Sequence, residues 1–263
     1  MPLAIALLLG VVEGLTEYLP VSSTGHLVLV ARALGRQAGA FEIVIQLGAI
    51  FAVVVHFREL FARHARGLVA REPESLRLVA ALACGFLPVA ILGKLAGHAI
   101  KDHLFAPRPI AIALAAGGVV MIAVERVRAA KKVHGEDGLA AVTPIRAFYI
   151  GLAQCFALLP GTSRSMATIV GGQLAGLSTA TAAEFSFLLG VPTLGAATVY
   201  EGLKSRHELL TQTGGAALVV GLVTSFFVAW AVVATFLRYL QRRGLEPFGW
   251  YRIVLAVAVL RFM

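Results

Sequence analysis

Residues 13–26 read Glu13-Gly14-Leu15-Thr16-Glu17-Tyr18-Leu19-Pro20-Val21-Ser22-Ser23-Thr24-Gly25-His26, inside an apolar run that extends from 3 to 34. Pro20 removes a backbone donor and keeps the residue before it out of the helical region, so the run is expected to form two half-helices joined by an irregular turn. A hydroxyl cluster follows where the second half-helix would begin. A second run, 145–177, is interrupted in the same manner at Pro160-Gly161-Thr162-Ser163-Arg164-Ser165. Irregular backbone in apolar surroundings must line a protein cavity to satisfy its N–H and C=O groups. Each run is therefore expected to be a re-entrant helix-loop-helix hairpin.

The rest of the chain makes those surroundings a bilayer. Of 263 residues, 59% are hydrophobic and 14% charged, and the mean hydropathy is +0.84, which excludes a soluble globular domain, a disordered chain and a coiled coil. Six further runs approach the length of a membrane crossing: 41–57, 76–96, 110–124, 182–200, 216–237 and 248–263. The N-terminal run lacks a basic start and meets two glutamates instead of a cleavage site, so it reads as mature structure and not as a signal peptide. Cys84 and Cys155 lie in apolar stretches without metal-ligand spacing and read as small buried hydrophobes, with no disulfide and no zinc site. The net charge of +9 sits mostly in short loops, where it anchors to anionic lipid. Nucleic acid is not an expected partner.

The two interrupted runs also match each other. Gly10-Val11-Val12-Glu13 parallels Gly151-Leu152-Ala153-Gln154, Pro20 parallels Pro160, Ser22-Ser23 parallels Thr162-Ser163, and Glu42 with Leu47-Gly48 parallels Glu184 with Leu189-Gly190. The expected architecture is an all-α polytopic membrane protein forming a single integral membrane domain, 1–263. It holds two inverted-topology repeats, 1–126 and 145–263, each a re-entrant hairpin plus three transmembrane helices. An odd number of crossings per copy turns the second copy over. On that plan thirteen Lys and Arg face seven across the membrane, which makes the richer side cytoplasmic.

Glu13 and Glu17 are one helical turn apart on one face, and ionisable groups at that depth are functional candidates. As a close pair they suit proton transfer or the joint binding of a divalent cation, and the residues alone leave both open. Ser22, Ser23 and Thr24 stand at a helix start, where hydroxyls cap the backbone and where the free N–H groups also attract an anion. His26 lies in the first turn as a candidate acid or base, with serine as a candidate nucleophile. Arg164, between Ser163 and Ser165, needs an anion: a phosphate, or Glu13 or Glu17 until a ligand arrives. Hairpin tips meeting at the repeat interface would surround a lipid-borne diphosphate with donors and acid–base groups, which implies hydrolysis and not binding alone.

Both motifs together resemble the paired signature of the undecaprenyl-diphosphate phosphatase, or bacitracin-resistance, family. Residues 41–48 and 184–189 are similar to family segments as well, and Met166 stands where the family motif has glycine. The resemblance implies removal of one phosphate from undecaprenyl diphosphate in the bacterial inner (cytoplasmic) membrane, with the site open to the periplasm. The product is the monophosphate that carries cell-wall precursors. Implied roles place Glu13 and Glu17 on a divalent cation, magnesium or calcium, or on protons. Ser23 or water attacks, His26 assists, and Arg164 holds the diphosphate. Ser22, Thr24, Gly25, Thr162, Ser163 and Ser165 bind substrate, and Gln46 lines the pocket. The competing reading is a flippase for the same lipid, since inverted repeats with broken helices are also a transporter plan. Gly93 and Gly97 form a small-xxx-small pair that suits close helix packing within the monomer or a homodimer.

Overall fold

The computed structural model of the chain describes residues 1–104 and 106–262, and the side chains of all these except 96–104, 208, 210, 212 and 262. Helix α1 (Leu3–Thr16) ends ahead of Pro20, and α2 (Ser23–Ala33) begins after the turn. Then follow α3 (Ala40–Val44), α4 (Gln46–His56), α5 (Arg58–Val69), α6 (Pro73–Leu104) and α7 (Pro107–Ala130). The second half repeats the order. Helix α8 (Pro144–Gln154) runs through a 3-10 turn, Cys155–Leu158, and a Pro160 break into α9 (Arg164–Leu174). Helices α10 (Thr179–Lys204), the short α11 (Arg206–Glu208), α12 (Gly215–Leu240) and α13 (Glu246–Phe262) complete the chain. Among the described residues the β contact is a lone bridge between Glu136 and Leu177.

The protein is an all-helical polytopic membrane protein, with a span pattern less uniform than six clean runs. Four helices are long and apolar enough to cross: α6 up to Leu95, α7, α10 and α12. The run 41–57 is split at Ile45 into α3 and α4, and α13 has 17 residues, with position 263 outside the described residues. The stretch after His56, expected as loop, is helix α5, bent 72° from α3 and α4. Arg58, Arg63 and Arg66 are exposed while His64 and Gly67 are buried, and His64 Nδ1 lies 3.0 Å from Ser75 Oγ. That division of faces packs one side of α5 on the start of α6 and leaves the arginine side open. The Gly93–Gly97 pair falls partly outside the described residues. Cys84 and Cys155 are both free and only half-buried.

The first arm of each hairpin packs on a long span from the other half, α1 against α12 and α8 against α6. Both crossings depend on glycine. A Cβ on Gly10 would stand 2.7 Å from Gly221 O, and one on Gly151 would stand 2.5 Å from Gly85 O. Gly10 and Gly151 are matching sequence positions, so one close crossing is made twice. Gly151→Ala is accordingly expected to force these helices apart and destabilise the protein by about 1–3 kcal/mol. A melting temperature in detergent equal to that of the parent protein would contradict this crossing.

Tyr18, Met166, Ile169, Phe185 and Phe187 belong to one buried cluster that joins both hairpins to α10. At one end of the bundle, Arg128 donates to Gln173 O at 2.6 Å and Leu177 O at 3.0 Å, and Arg126 pairs with Glu246 at 2.7 Å. Arg146 hydrogen-bonds Glu136 in the same loop region, which holds that carboxyl below its usual range. The ends of α7 and α9 and the starts of α8 and α13 therefore share the side rich in arginine.

Candidate active site

Each hairpin turn delivers a serine in an unusual backbone conformation. Ser22 has φ +73° and caps α2 by accepting from Gly25 N–H at 3.2 Å. Ser163 has φ +74° and caps α9 by accepting from Met166 N–H at 3.2 Å. A non-glycine residue held there costs on the order of 1–3 kcal/mol, so the surroundings impose it. The equivalence is Ser22 with Ser163, one residue later than the sequence match with Thr162, because the second turn is one residue longer. Ser23 and Arg164 thereby occupy the same position, the first of α2 and of α9.

Glu17, at the end of α1, joins those two residues. Its Oε2 accepts from Ser23 Oγ at 2.5 Å and its Oε1 accepts from Arg164 Nη2 at 3.1 Å. All three are buried, which strengthens each contact relative to one in water. The choice left open between Glu13 and Glu17 as partner of Arg164 falls to Glu17. Arg164 Nη1 donates to Ser186 O at 2.8 Å, and its guanidinium lies 5.4 Å from the Tyr18 ring centre. Gly190 leaves the space it occupies, since a Cβ there would lie 3.0 Å from Nη1. Arg164 Nε has no partner among the described residues, so the fork retains a donor for an anion. Ser165 Oγ donates to Leu19 O at 2.8 Å and lies 3.0 Å from Ser163 Oγ, which stitches the second turn to the first.

Glu13 is completely buried beside the Glu17 carboxyl, and neither of its oxygens receives an N–H or a hydroxyl among the described residues. An unpaired carboxylate is expensive there, so a proton or a cation must satisfy it. His26 stands apart from the carboxylates. Its Nδ1 is 2.8 Å from Ser22 O and its Nε2 is 2.7 Å from Tyr251 OH, with the two rings parallel. Thr24 and Gly25 share the first turn of α2, and Thr162 N–H donates to Leu159 O at 3.1 Å within the second turn. Gln46 Oε1 accepts from Thr198 Oγ1 at 3.4 Å, at the contact of α4 with α10. A cavity of about 720 Å³ beside His56, Arg58, Arg63 and Arg66 lies at the α4–α5 bend, separate from these groups.

Three participants escaped the sequence reading: Ser186, Tyr251 and Arg252. Arg252 carried a usable signal, an arginine in the interior of the apolar run 248–263, whose other arginine, Arg261, stands near its end; it is the same kind of anomaly that singles out Arg164. It is fully buried on α13 and donates to backbone carbonyls of both hairpin turns. Ser186 and Tyr251 carry no such mark, because hydroxyl residues are ordinary in apolar helices.

The arrangement places a carboxylate on a hydroxyl proton, a guanidinium on the same carboxylate, and two capped helix N-termini around them. The family model described as "Bacitracin resistance protein BacA" matches residues 6–258. A relative named undecaprenyl-diphosphatase from Sorangium cellulosum is 60% identical over 259 residues, covering 97% of this chain and 84% of its own. Proteins of the same name from Rhizorhabdus wittichii and Neisseria meningitidis are 44% and 42% identical, covering 99% and 97% of this chain and 97% and 93% of their own.

Proposed function

Because the chain belongs to the bacitracin resistance protein BacA family, we propose that its hairpin cluster hydrolyses undecaprenyl diphosphate to undecaprenyl phosphate and inorganic phosphate. The protein is a membrane phosphoanhydride hydrolase that recycles the lipid carrier of cell-wall synthesis and so supports bacitracin resistance. The observation that carries this reading is the Glu17 carboxylate shared between Ser23 and Arg164. A buried base on a serine hydroxyl is a device for bond cleavage, which favours hydrolysis over flipping of the same lipid.

Glu17 Oε2 takes the Ser23 proton as Oγ attacks the terminal phosphorus. The bond from that phosphorus to the bridging oxygen breaks, and the lipid monophosphate departs. Water then cleaves the phosphoserine and releases phosphate. Arg164 exchanges Glu17 for phosphate oxygens as substrate enters, while the N–H groups of α2 and α9 receive the two phosphates. Ser22, Thr24, Gly25, Thr162, Ser163 and Ser165 shape these two helix ends. His26, held by Tyr251, serves proton transfer at the rim, and Gln46 supports the wall on the α10 side.

Glu13 offers two buried oxygens that receive no N–H or hydroxyl, and together with Glu17 Oε1, released when Arg164 turns to phosphate, they would hold a hard divalent cation, magnesium or calcium. Among the described residues no group of three His, Cys, Asp or Glu is available, so water and phosphate oxygens would complete the coordination. When bound, such an ion neutralises charge on the phosphates. The two units, 1–126 and 145–263, are inverted copies, the arginine-rich loops are cytoplasmic, and the site opens to the periplasmic side of the inner membrane. A homodimer along Gly93 would leave each site complete within its own chain.

Purified protein in detergent is expected to release phosphate from undecaprenyl diphosphate. Chelation should reduce the rate at least about tenfold, with recovery on adding calcium or magnesium. Absence of release under all these conditions, with transfer of the lipid between leaflets, would overturn the hydrolase reading. Full turnover in chelator would remove the cation alone.

A further inference from the structure

The hydrolysis chemistry makes no use of Arg252, although it is the most deeply placed cation near the hairpins. Its Nη1 donates to Pro20 O at 3.0 Å, and its Nη2 donates to Gly161 O at 2.9 Å and to Ala113 O at 3.1 Å. Its Nε donates to Leu114 O at 3.2 Å. Pro20 precedes the capping Ser22 by two residues, and Gly161 precedes the capping Ser163 by two residues, so the guanidinium grips equivalent carbonyls of both turns at once. All four acceptors are backbone carbonyls. Burying a guanidinium without a counter-anion is costly, and it persists only where the surroundings demand that geometry.

The packing is built to admit it. Gly118 and Gly249 meet face to face where α7 crosses α13, and a Cβ on Gly117 would lie 2.3 Å from Arg252 Nη2. A planar fork can serve two separate turns together, whereas an ammonium group concentrates its donors at one point.

We propose that Arg252 is a positioning residue that fixes the two hairpin turns in register, so that the N-termini of α2 and α9 engage both phosphates of one diphosphate. It touches no substrate, and the inference rests on the hydrolase reading. Because a monophosphate needs only one helix end, this clamp sets the preference for the diphosphate substrate over the monophosphate product.

The test compares parent protein with Arg252→Lys, Arg252→Met and Gly117→Ala, each checked for a single elution peak and its melting temperature. The last variant displaces the guanidinium and leaves the charge in place. The readouts are KM for undecaprenyl diphosphate and the inhibition constant of undecaprenyl phosphate. All three variants should raise KM about tenfold or more while the inhibition constant moves by less than about threefold, since only the two-ended ligand feels the loss of register. A variant that is merely unstable loses active molecules and keeps that ratio. A parent-like ratio in Arg252→Lys, or constants that rise in step, would overturn the proposal. Should Arg252→Lys fail to fold, Gly117→Ala decides by the same two constants. Absence of phosphate release from the parent protein would instead indict the hydrolase reading.

Discussion

Ser23→Ala is expected to lower kcat for phosphate release by about a thousandfold or more, with KM changed by less than about threefold. The hydroxyl is the group that Glu17 Oε2 contacts at 2.5 Å, so its removal would delete the proposed attacking oxygen and leave the proposed anion-binding parts in place. Arg164 still holds Glu17 through Oε1, which keeps the fold and the charge balance of the site intact. Acid quenching during turnover of substrate labelled at its terminal phosphate should leave label on the parent protein and none on the variant. If Ser23→Ala works within about tenfold of the parent, water attacks directly and Ser23 only orders Glu17.

The second large effect is that of Arg164→Ala, expected to lower kcat/KM by about a thousandfold or more. Truncation would remove the guanidinium proposed to hold the diphosphate and also strand the buried Glu17 carboxylate, whose side chain is 4% exposed in the ion pair. Arg164→Lys should recover only part of the loss, since it keeps a charge and forfeits the fork that reaches Ser186 and Glu17 together. Near-parent turnover in Arg164→Lys would show that charge alone suffices at this position.

These two residues were accessible from sequence because local rules announce them. Proline ends a helix wherever it falls, a hydroxyl after it caps the next one, and an arginine in an apolar run has to be explained. Helix α5 shows the opposite case. Its arginines recur at helical spacing, yet charge made the stretch look like loop, and only its packing on Ser75 separates a surface helix from a linker. The one-residue shift between matched serines has a similar origin, since aligned letters do not reveal how many residues a turn consumes.

An all-helical membrane protein, its two interrupted helices, and the set of Glu, Ser, His and Arg around the interruptions are legible in the order of residues, because apolar length and helix breaking act over a few neighbours. Tertiary structure alone decided that Arg164 chooses Glu17, that His26 turns to Tyr251, and that Arg252 grips both turns. The partners of Arg164 and Arg252 lie 147 residues away at Glu17 and 232 away at Pro20. A carbonyl acceptor is offered by every residue type, so no pattern of letters can mark the one that will be used.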